Sequence, residues 1–279
     1  YWRAALLYDS HELWNETNPA WSQLQRKLLS LLERLIIRRC DAVVTVNNAV
    51  ARELAHRYGI QQPVVVMNCP EWSDTVEMPR SVRLPGRPLR VVYLGMLNEA
   101  RGLQPLIDAA AATQDVELTI IGHGSQAAAV AAHAGRLNQN GRIRVLPPVD
   151  VSAVLQTLRA FDVGVIPYPA ASLNMRLSSP VKLFEYMAAG LAVVASDLPV
   201  IREIIEATGC GVLVQPANID DLTTALTALA SNPETVTAMG AAGMRAARDT
   251  YNAAAEHKRL LHIYARLIRG AGHLDEGRP

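Results

Sequence analysis

Short apolar runs alternate with longer amphipathic segments along most of this chain. Residues 4–8, 42–46, 63–67, 90–94, 116–121, 143–146, 161–167, 191–195 and 210–214 are short, mainly apolar stretches that read as strands. Between them lie segments of helical period: 21–39, 48–58, a helix ending near 112, an Ala-rich helix after Ser125, then 151–160, 200–207, 220–230, 233–248 and 252–269. Strand and helix alternate, so the sheets are expected to be parallel and the fold class α/β. Residues 68–88 break the pattern with Pro70, Pro79, Pro85 and Pro88, which reads as a linker between two domains.

One stretch carries start and stop signals at both ends. In 178–190, SSPVKLFEYMAAG, Ser179 suits an N-cap, Pro180 the first helical position, and Gly190 the left-handed position that ends a helix. Proline has no N–H, so the free first-turn amides would be those of Val181 and Lys182, and together with the helix dipole they make an anion site. Glu185 lies three residues after Lys182 and shares its face, where a carboxylate can accept hydrogen bonds from vicinal hydroxyls. A solvated Lys182–Glu185 pair is the plain alternative. The setting between the 161–167 and 191–195 strands favours a ligand, because open parallel sheets bind at the carboxyl ends of their strands.

Other strand ends carry weaker signals. His11 and Glu12 follow the first strand. Arg101 and Gly102 precede a helix, where a cation can clamp a phosphate. Gly122-His123-Gly124 follows a strand without the third glycine of a dinucleotide fingerprint, and residues 147–149 form a turn.

Composition narrows the classes. The 279 residues are 50% hydrophobic and 19% charged with a formal charge of +1, which fits about two globular domains and gives no nucleic-acid footprint. No apolar run reaches the length of a spanning helix, so none is expected. Cys40, Cys69 and Cys210 are scattered, read as inert packing residues, and fit a reducing, cytoplasmic setting. Segment 21–39 sets Leu24, Leu28, Leu31, Leu32 and Leu35 against Arg26, Lys27, Arg34, Arg38 and Arg39. It is expected to pack its leucines on a core and leave its basic face to solvent. Peripheral contact with the inner face of a membrane stays open as a second reading. The first strand begins almost at once, so an amino-terminal piece of the first domain is expected to precede Tyr1, and 270–279 reads as a disordered tail.

Four stretches resemble a known family: YLGMLNEARGLQPLIDA (93–109), LTIIGHGS (118–125), FDVGVIPY (161–168) and SPVKLFEYMAAGLAVVASDLPVIREII (179–205) are similar to glycosyltransferase family 4, the glycosyl transferases group 1 domain. The resemblance implies two Rossmann-like parallel-sheet domains of the GT-B type: an incomplete acceptor-side domain at 1–72, a linker at 73–88, a nucleotide-sugar-binding domain at 89–250, a C-terminal helix at 251–270 and a tail at 271–279. It assigns Glu185 to the donor ribose, Arg101 to the pyrophosphate, the amides of Val181 and Lys182 to the phosphate cradle, and Ser179 and Leu183 to donor binding. Gly95, Gly122 and Gly124 fall where the backbone nears the nucleotide, Val149 near the base, and His11 beside the reacting sugar.

The implied activity is retaining, hexosyltransferase-like transfer from a nucleoside-diphosphate-sugar to a saccharide or lipid-linked acceptor. No Asp-x-Asp pair is present, so no metal is expected, and the donor is a co-substrate rather than a cofactor. Two positions depart from the family. Met96 replaces a common arginine, for which Lys182 could supply the charge, and Leu177 replaces a common glutamate, for which Asn174, Ser178 or Ser179 could substitute. These departures leave open a non-catalytic nucleotide-sugar-binding or scaffold subunit and, beyond it, a nucleotide-sugar epimerase. The incomplete glycine fingerprint argues against an NAD-linked oxidoreductase.

Overall fold

The computed structural model describes residues 4–16, 20–72, 86–138 and 140–272. The chain forms two compact units. One takes in the described residues of Tyr1–Cys69, Ser172–Ser179 and Ala253–Pro279, the other those of Pro70–Ala171 and Pro180–Asn252. Most of the expected linker, 73–85, lies outside the described residues, as does 273–279 of the expected tail. Gly270 is helical rather than the start of the tail, because the last helix runs Ala253–Gly272.

The first unit holds a three-stranded parallel sheet in the order β1-β2-β3, with β1 Leu7–Ser10, β2 Ala42–Thr45 and β3 Val64–Val65. β1 starts later than the apolar run, so Asp9 and Ser10 are strand residues. Helix α1 spans Gln23–Ile37 and opens on a capping box between Ser22 and Gln25, and α2 spans Asn48–Tyr58 with Asn47 capping Val50. Leu13, Ile37, Val50, Leu54 and Tyr58 form the core, with Leu173 and Leu177 packed against it from a short helix, Leu173–Arg176, that the hydrophobic pattern did not reveal.

The second unit holds six parallel strands in the order β6-β5-β4-β7-β8-β9. They are β4 Leu89–Leu94, β5 Val116–Ile121, β6 Ile143–Leu146, β7 Val163–Ile166, β8 Ala192–Ser196 and β9 Gly211–Val214. The order reverses direction between β4 and β7, which places a topological switch point there. Buried Asp162 fixes this junction: it accepts from the Arg90 amide at 2.9 Å and from the Arg90 guanidinium at 3.1 and 2.9 Å. The segment Val181–Ala188, named here the switch helix, follows β7. It ends as expected, with Gly190 at φ 73°, Gly190 N–H on Met187 O and Leu191 N–H on Tyr186 O.

Its start differs from expectation. Pro180, not Ser179, is the N-cap, at φ −68° and ψ 133° with no side-chain capping bond. The Ser179 hydroxyl instead accepts from Asn47 Nδ2 at 3.2 Å within the first unit. A larger correction concerns α1. Its leucines face outward, with Leu24 69% and Leu31 54% exposed, while Glu33 and Ile37 are the buried residues. Glu33 accepts from the Tyr8 and Tyr58 hydroxyls at 2.8 and 2.5 Å, so the polar side of the helix turns inward. That polar anchor fixes which side of the helix faces the described core of this unit.

Candidate active site

The second unit gathers most of the predicted residues at the carboxyl ends of β4 and β7. The loop after β4 is tied to the loop after β5: Gly95 N–H donates to Ile121 O, Leu97 N–H to His123 O, and Gln126 N–H to Leu97 O. The two backbones touch. A Cβ at Gly122 would lie 1.8 Å from Gly95 O, and one at Gly124 2.3 Å from Leu97 O. Glycine is therefore required at these positions by loop-on-loop packing, whatever else approaches them.

A Cβ at Gly95 would meet a different neighbour, Lys182 Nζ, at 2.8 Å. Lys182 rises from the first turn of the switch helix and is 8% exposed. Its ammonium lies 3.9 Å from the centroid of the Tyr93 ring and 5.3 Å from that of Tyr168. The Arg101 guanidinium stands 4.8 Å from the centroid of the same Tyr168 ring. Gly102 lets Arg101 reach this place, since a Cβ there would lie 1.8 Å from Pro167 O at the end of β7. Aromatic faces hold both cations, yet neither has a carboxylate ion-pair partner among the described residues, and Arg101 Nε is buried without an acceptor.

The electrostatics follow from burial. Lys182 is pushed down to about 7, first by desolvation and then by Arg101, with Glu185 opposing the shift. Burial raises the Glu185 carboxyl, and Lys182 opposes it. The two are not the solvated pair of the plain alternative: Lys182 is buried against Tyr93, and no ion pair joins it to Glu185. Among the described residues of the second unit the amides of Val181 and Lys182 donate to no backbone acceptor, whereas Leu183 N–H donates to Pro180 O at 2.9 Å. The Leu183 side chain is also fully buried. Val149 is half-buried in the loop after β6.

His11 and Ser179 belong to the first unit. His11 is exposed at the end of β1, with Nε2 3.3 Å from Asp9 Oδ2. The polar groups considered as substitutes at Leu177 are engaged in their own unit: Asn174 Oδ1 accepts from Leu13 N–H at 2.9 Å, and Ser178 Oγ donates to Met175 O at 2.9 Å. Leu177 itself packs on the core of that unit. Met96 is exposed, and its carbonyl accepts from the Tyr93 hydroxyl at 2.8 Å.

Sequence reasoning missed the tyrosines. Tyr93 and Tyr168 form the aromatic walls, and Tyr186 anchors them: its hydroxyl accepts from Leu94 N–H at 3.1 Å, with its ring in the space that a side chain at Gly164 would fill. All three lie inside the stretches that carry the family resemblance, yet none is charged, so residue type alone pointed to core. Asn98 Oδ1, in the loop after β4, is buried without a partner and was also missed.

The family model described as Glycosyl transferases group 1 matches residues 88–232, which take in most of the second unit and its cationic switch point. The chain belongs to this family. A second model, Glycosyltransferase Family 4, matches residues 2–70. Among curated relatives, a phosphatidyl-myo-inositol mannosyltransferase of Mycobacterium tuberculosis is 36% identical over 167 residues, 54% of this chain and 42% of the relative. A putative teichuronic acid biosynthesis glycosyltransferase of Bacillus subtilis is 26% identical over 207 residues, 70% of this chain and 51% of the relative. The chain spans about half the length of the curated relatives it matches. Among solved structures, a sucrose-phosphate synthase from Thermosynechococcus elongatus superposes with TM-score 0.75 at 19% identity, covering 95% of this chain and 68% of that one. Anabaena HepE in complex with UDP and glucose gives TM-score 0.72 at 17% identity, covering 94% and 71%. The fold class of this group 1 chain is the expected one, two parallel α/β units of the GT-B type.

Proposed function

We propose that this chain binds a nucleoside-diphosphate-sugar in its second unit and takes part in retaining transfer of a hexosyl group to a saccharide or lipid-linked acceptor. The observation that carries the reading is buried Lys182 and half-buried Arg101, neither with a carboxylate ion-pair partner among the described residues, beside the amides of Val181 and Lys182, which donate to no backbone acceptor there. Breaking a sugar–phosphate bond develops positive charge on the sugar and negative charge on the departing diphosphate, and preorganised cations and amides stabilise the latter. These protein groups supply the charge that a divalent ion supplies elsewhere, and we assign the reaction no metal.

Glu185 accepts from the ribose hydroxyls; burial raises its carboxyl and Lys182 opposes that rise. The Gly95 and Gly122 backbones border the nucleotide and Val149 the base. His11 steadies sugar or acceptor hydroxyls. The incoming hydroxyl attacks from the face the diphosphate leaves, and the departing phosphate oxygen takes its proton, so the anomeric configuration is kept. Relatives named as a mannosyltransferase and a glycosyltransferase, and a neighbour solved with UDP and glucose, support a hexose donor.

The test is proton NMR of the product formed from α-configured UDP- and GDP-hexoses with saccharide and lipid-linked acceptors. An α-linked product is expected, and a β-linked product contradicts the mechanism. Leu177, packed on apolar neighbours where family members carry a carboxylate, favours a second reading, a nucleotide-sugar-binding subunit without turnover. Donor binding with no product from any acceptor would select it.

A further inference from the structure

Two buried polar atoms in the loop after β4 have complementary chemistry and no partner among the described residues. Asn98 Oδ1 can only accept a hydrogen bond, Arg101 Nε–H can only donate one, and neither makes a bond in the ligand-free chain. Buried polar groups are almost always paired, so two unpaired groups of opposite kind in one loop call for a reason. They share a turn. Asn98 precedes the single 3₁₀ turn Glu99–Arg101, and Arg101 N–H donates to Asn98 O at 3.2 Å. Side chains three residues apart in such a turn eclipse one another, which sets Asn98 and Arg101 on one side of it.

The fold makes no use of the Asn98 amide oxygen. Asn98 stands at the N-cap of the turn, with φ −131° and ψ 169°, yet its side chain makes no capping bond. The backbone around it is fixed by other groups: Leu97 N–H donates to His123 O at 2.8 Å, Gln126 N–H to Leu97 O at 2.9 Å, and Gln126 Nε2 to Glu99 Oε1 at 3.0 Å. The Arg101 guanidinium rests 4.8 Å from the centroid of the Tyr168 ring, with no carboxylate to fix its direction. A phosphate oxygen cannot satisfy Asn98 Oδ1, because both are acceptors. A donor is needed, and Arg101 Nε–H is the unpaired donor of the same turn.

We propose that Asn98 is a positioning residue for Arg101. When a diphosphate engages the terminal nitrogens of the guanidinium, Arg101 Nε–H turns to Asn98 Oδ1, and that bond fixes the plane in which the terminal N–H groups meet phosphate oxygens. The proposal rests on the donor-site reading above and adds to it a bond that forms only with ligand. Leaving both groups unpaired in the empty chain costs stability that binding recovers.

The test is calorimetric titration of the full chain with UDP, GDP, ADP and dTDP, in parallel with Asn98→Ala, Arg101→Lys and the double variant. For the nucleotide that binds, Asn98→Ala should weaken affinity about tenfold, the size of one hydrogen bond to a charged group. Lysine keeps the charge of Arg101 but has no Nε–H, so the double variant should bind no more weakly than Arg101→Lys alone. Asn98→Ala should leave the melting temperature of the empty chain unchanged or higher, because the atom removed makes no bond there. Unchanged affinity in Asn98→Ala would overturn the proposal. Additive losses in the double variant would overturn it too, by giving Asn98 a contact of its own with the nucleotide. So would a lower melting temperature, which would make Asn98 part of the fold. If the unmodified chain binds none of these nucleotides, the donor-site reading fails and this proposal with it; a loss in Arg101→Lys without a loss in Asn98→Ala strikes the proposal alone.

Discussion

The ammonium of Lys182 lies 3.9 Å from the centre of the Tyr93 ring, in the space left by the missing side chain of Gly95. A strand residue, a loop glycine and a helix residue thereby meet at the switch point of the sheet. Tyr93 accommodates the cation without neutralising it, and Arg101 close by keeps the pocket electropositive.

Diphosphate binding should depend on pH through Lys182. Its pKa in the free chain is pushed down to about 7, so it is protonated below that value and neutral above it. An anion favours the protonated form, so affinity for a nucleoside diphosphate should fall as pH rises above 7, by up to about tenfold per pH unit. Calorimetry at pH 8 in buffers of different ionisation enthalpy should detect proton uptake on binding. The Lys182→Met variant should show none.

The same group opposes folding of the empty chain. Its native pKa of about 7 lies below the unfolded value of 10.5, so between those limits the unfolded chain binds more protons and this contribution to stability rises with pH. Below pH 7 the cost of the buried cation is fully present. Lys182→Met should accordingly raise the free energy of unfolding most at pH 6, by on the order of 1 to 2 kcal/mol with a higher melting temperature, and least near pH 10. A lower melting temperature at pH 6 would show that the ammonium is better stabilised by Tyr93 than argued.

The glycines at the loop junction should separate by what their missing side chains would meet. Gly122→Ala drives a methyl into the Gly95 carbonyl, a backbone atom that cannot move without breaking the junction, and should cost roughly 3 kcal/mol or more in urea unfolding. Gly95→Ala meets the far end of a flexible lysine. It should cost less stability and instead displace Lys182, weakening diphosphate binding about tenfold.

Removing the Tyr186 hydroxyl tests the anchor beneath the site. Tyr186→Phe leaves Leu94 N–H without its acceptor at the end of β4, a loss of about 1 to 3 kcal/mol measurable by thermal melting. Fully retained stability would mean that the amide finds another acceptor.

The parallel sheets were legible because strands buried on both faces are mainly apolar runs, and the short helix from Val181 to Ala188 was legible because its proline and glycine are local signals. What the sequence concealed depends on distant partners. The Leu24–Leu35 stripe announced an amphipathic helix but not which side faces inward, since that was decided by Tyr8 and Tyr58, each twenty-five residues from Glu33. Lys182 and Arg101 were visible as charges. Tyr93 and Tyr168, which hold them, read as core. Ser179 had the right chemistry for a cap, but Asn47 engages its hydroxyl and the helix begins one residue later than the cap required.

The most direct measurement is calorimetric titration of this chain with UDP, GDP, ADP, CMP and dTDP, repeated with Lys182→Met and Glu185→Gln. Binding of one nucleoside diphosphate, lost in the first variant and weakened about tenfold in the second, is the predicted result and would name the donor base. Absence of binding by every nucleotide, or binding unchanged in Lys182→Met, would contradict the assignment of the cationic switch point as the donor site.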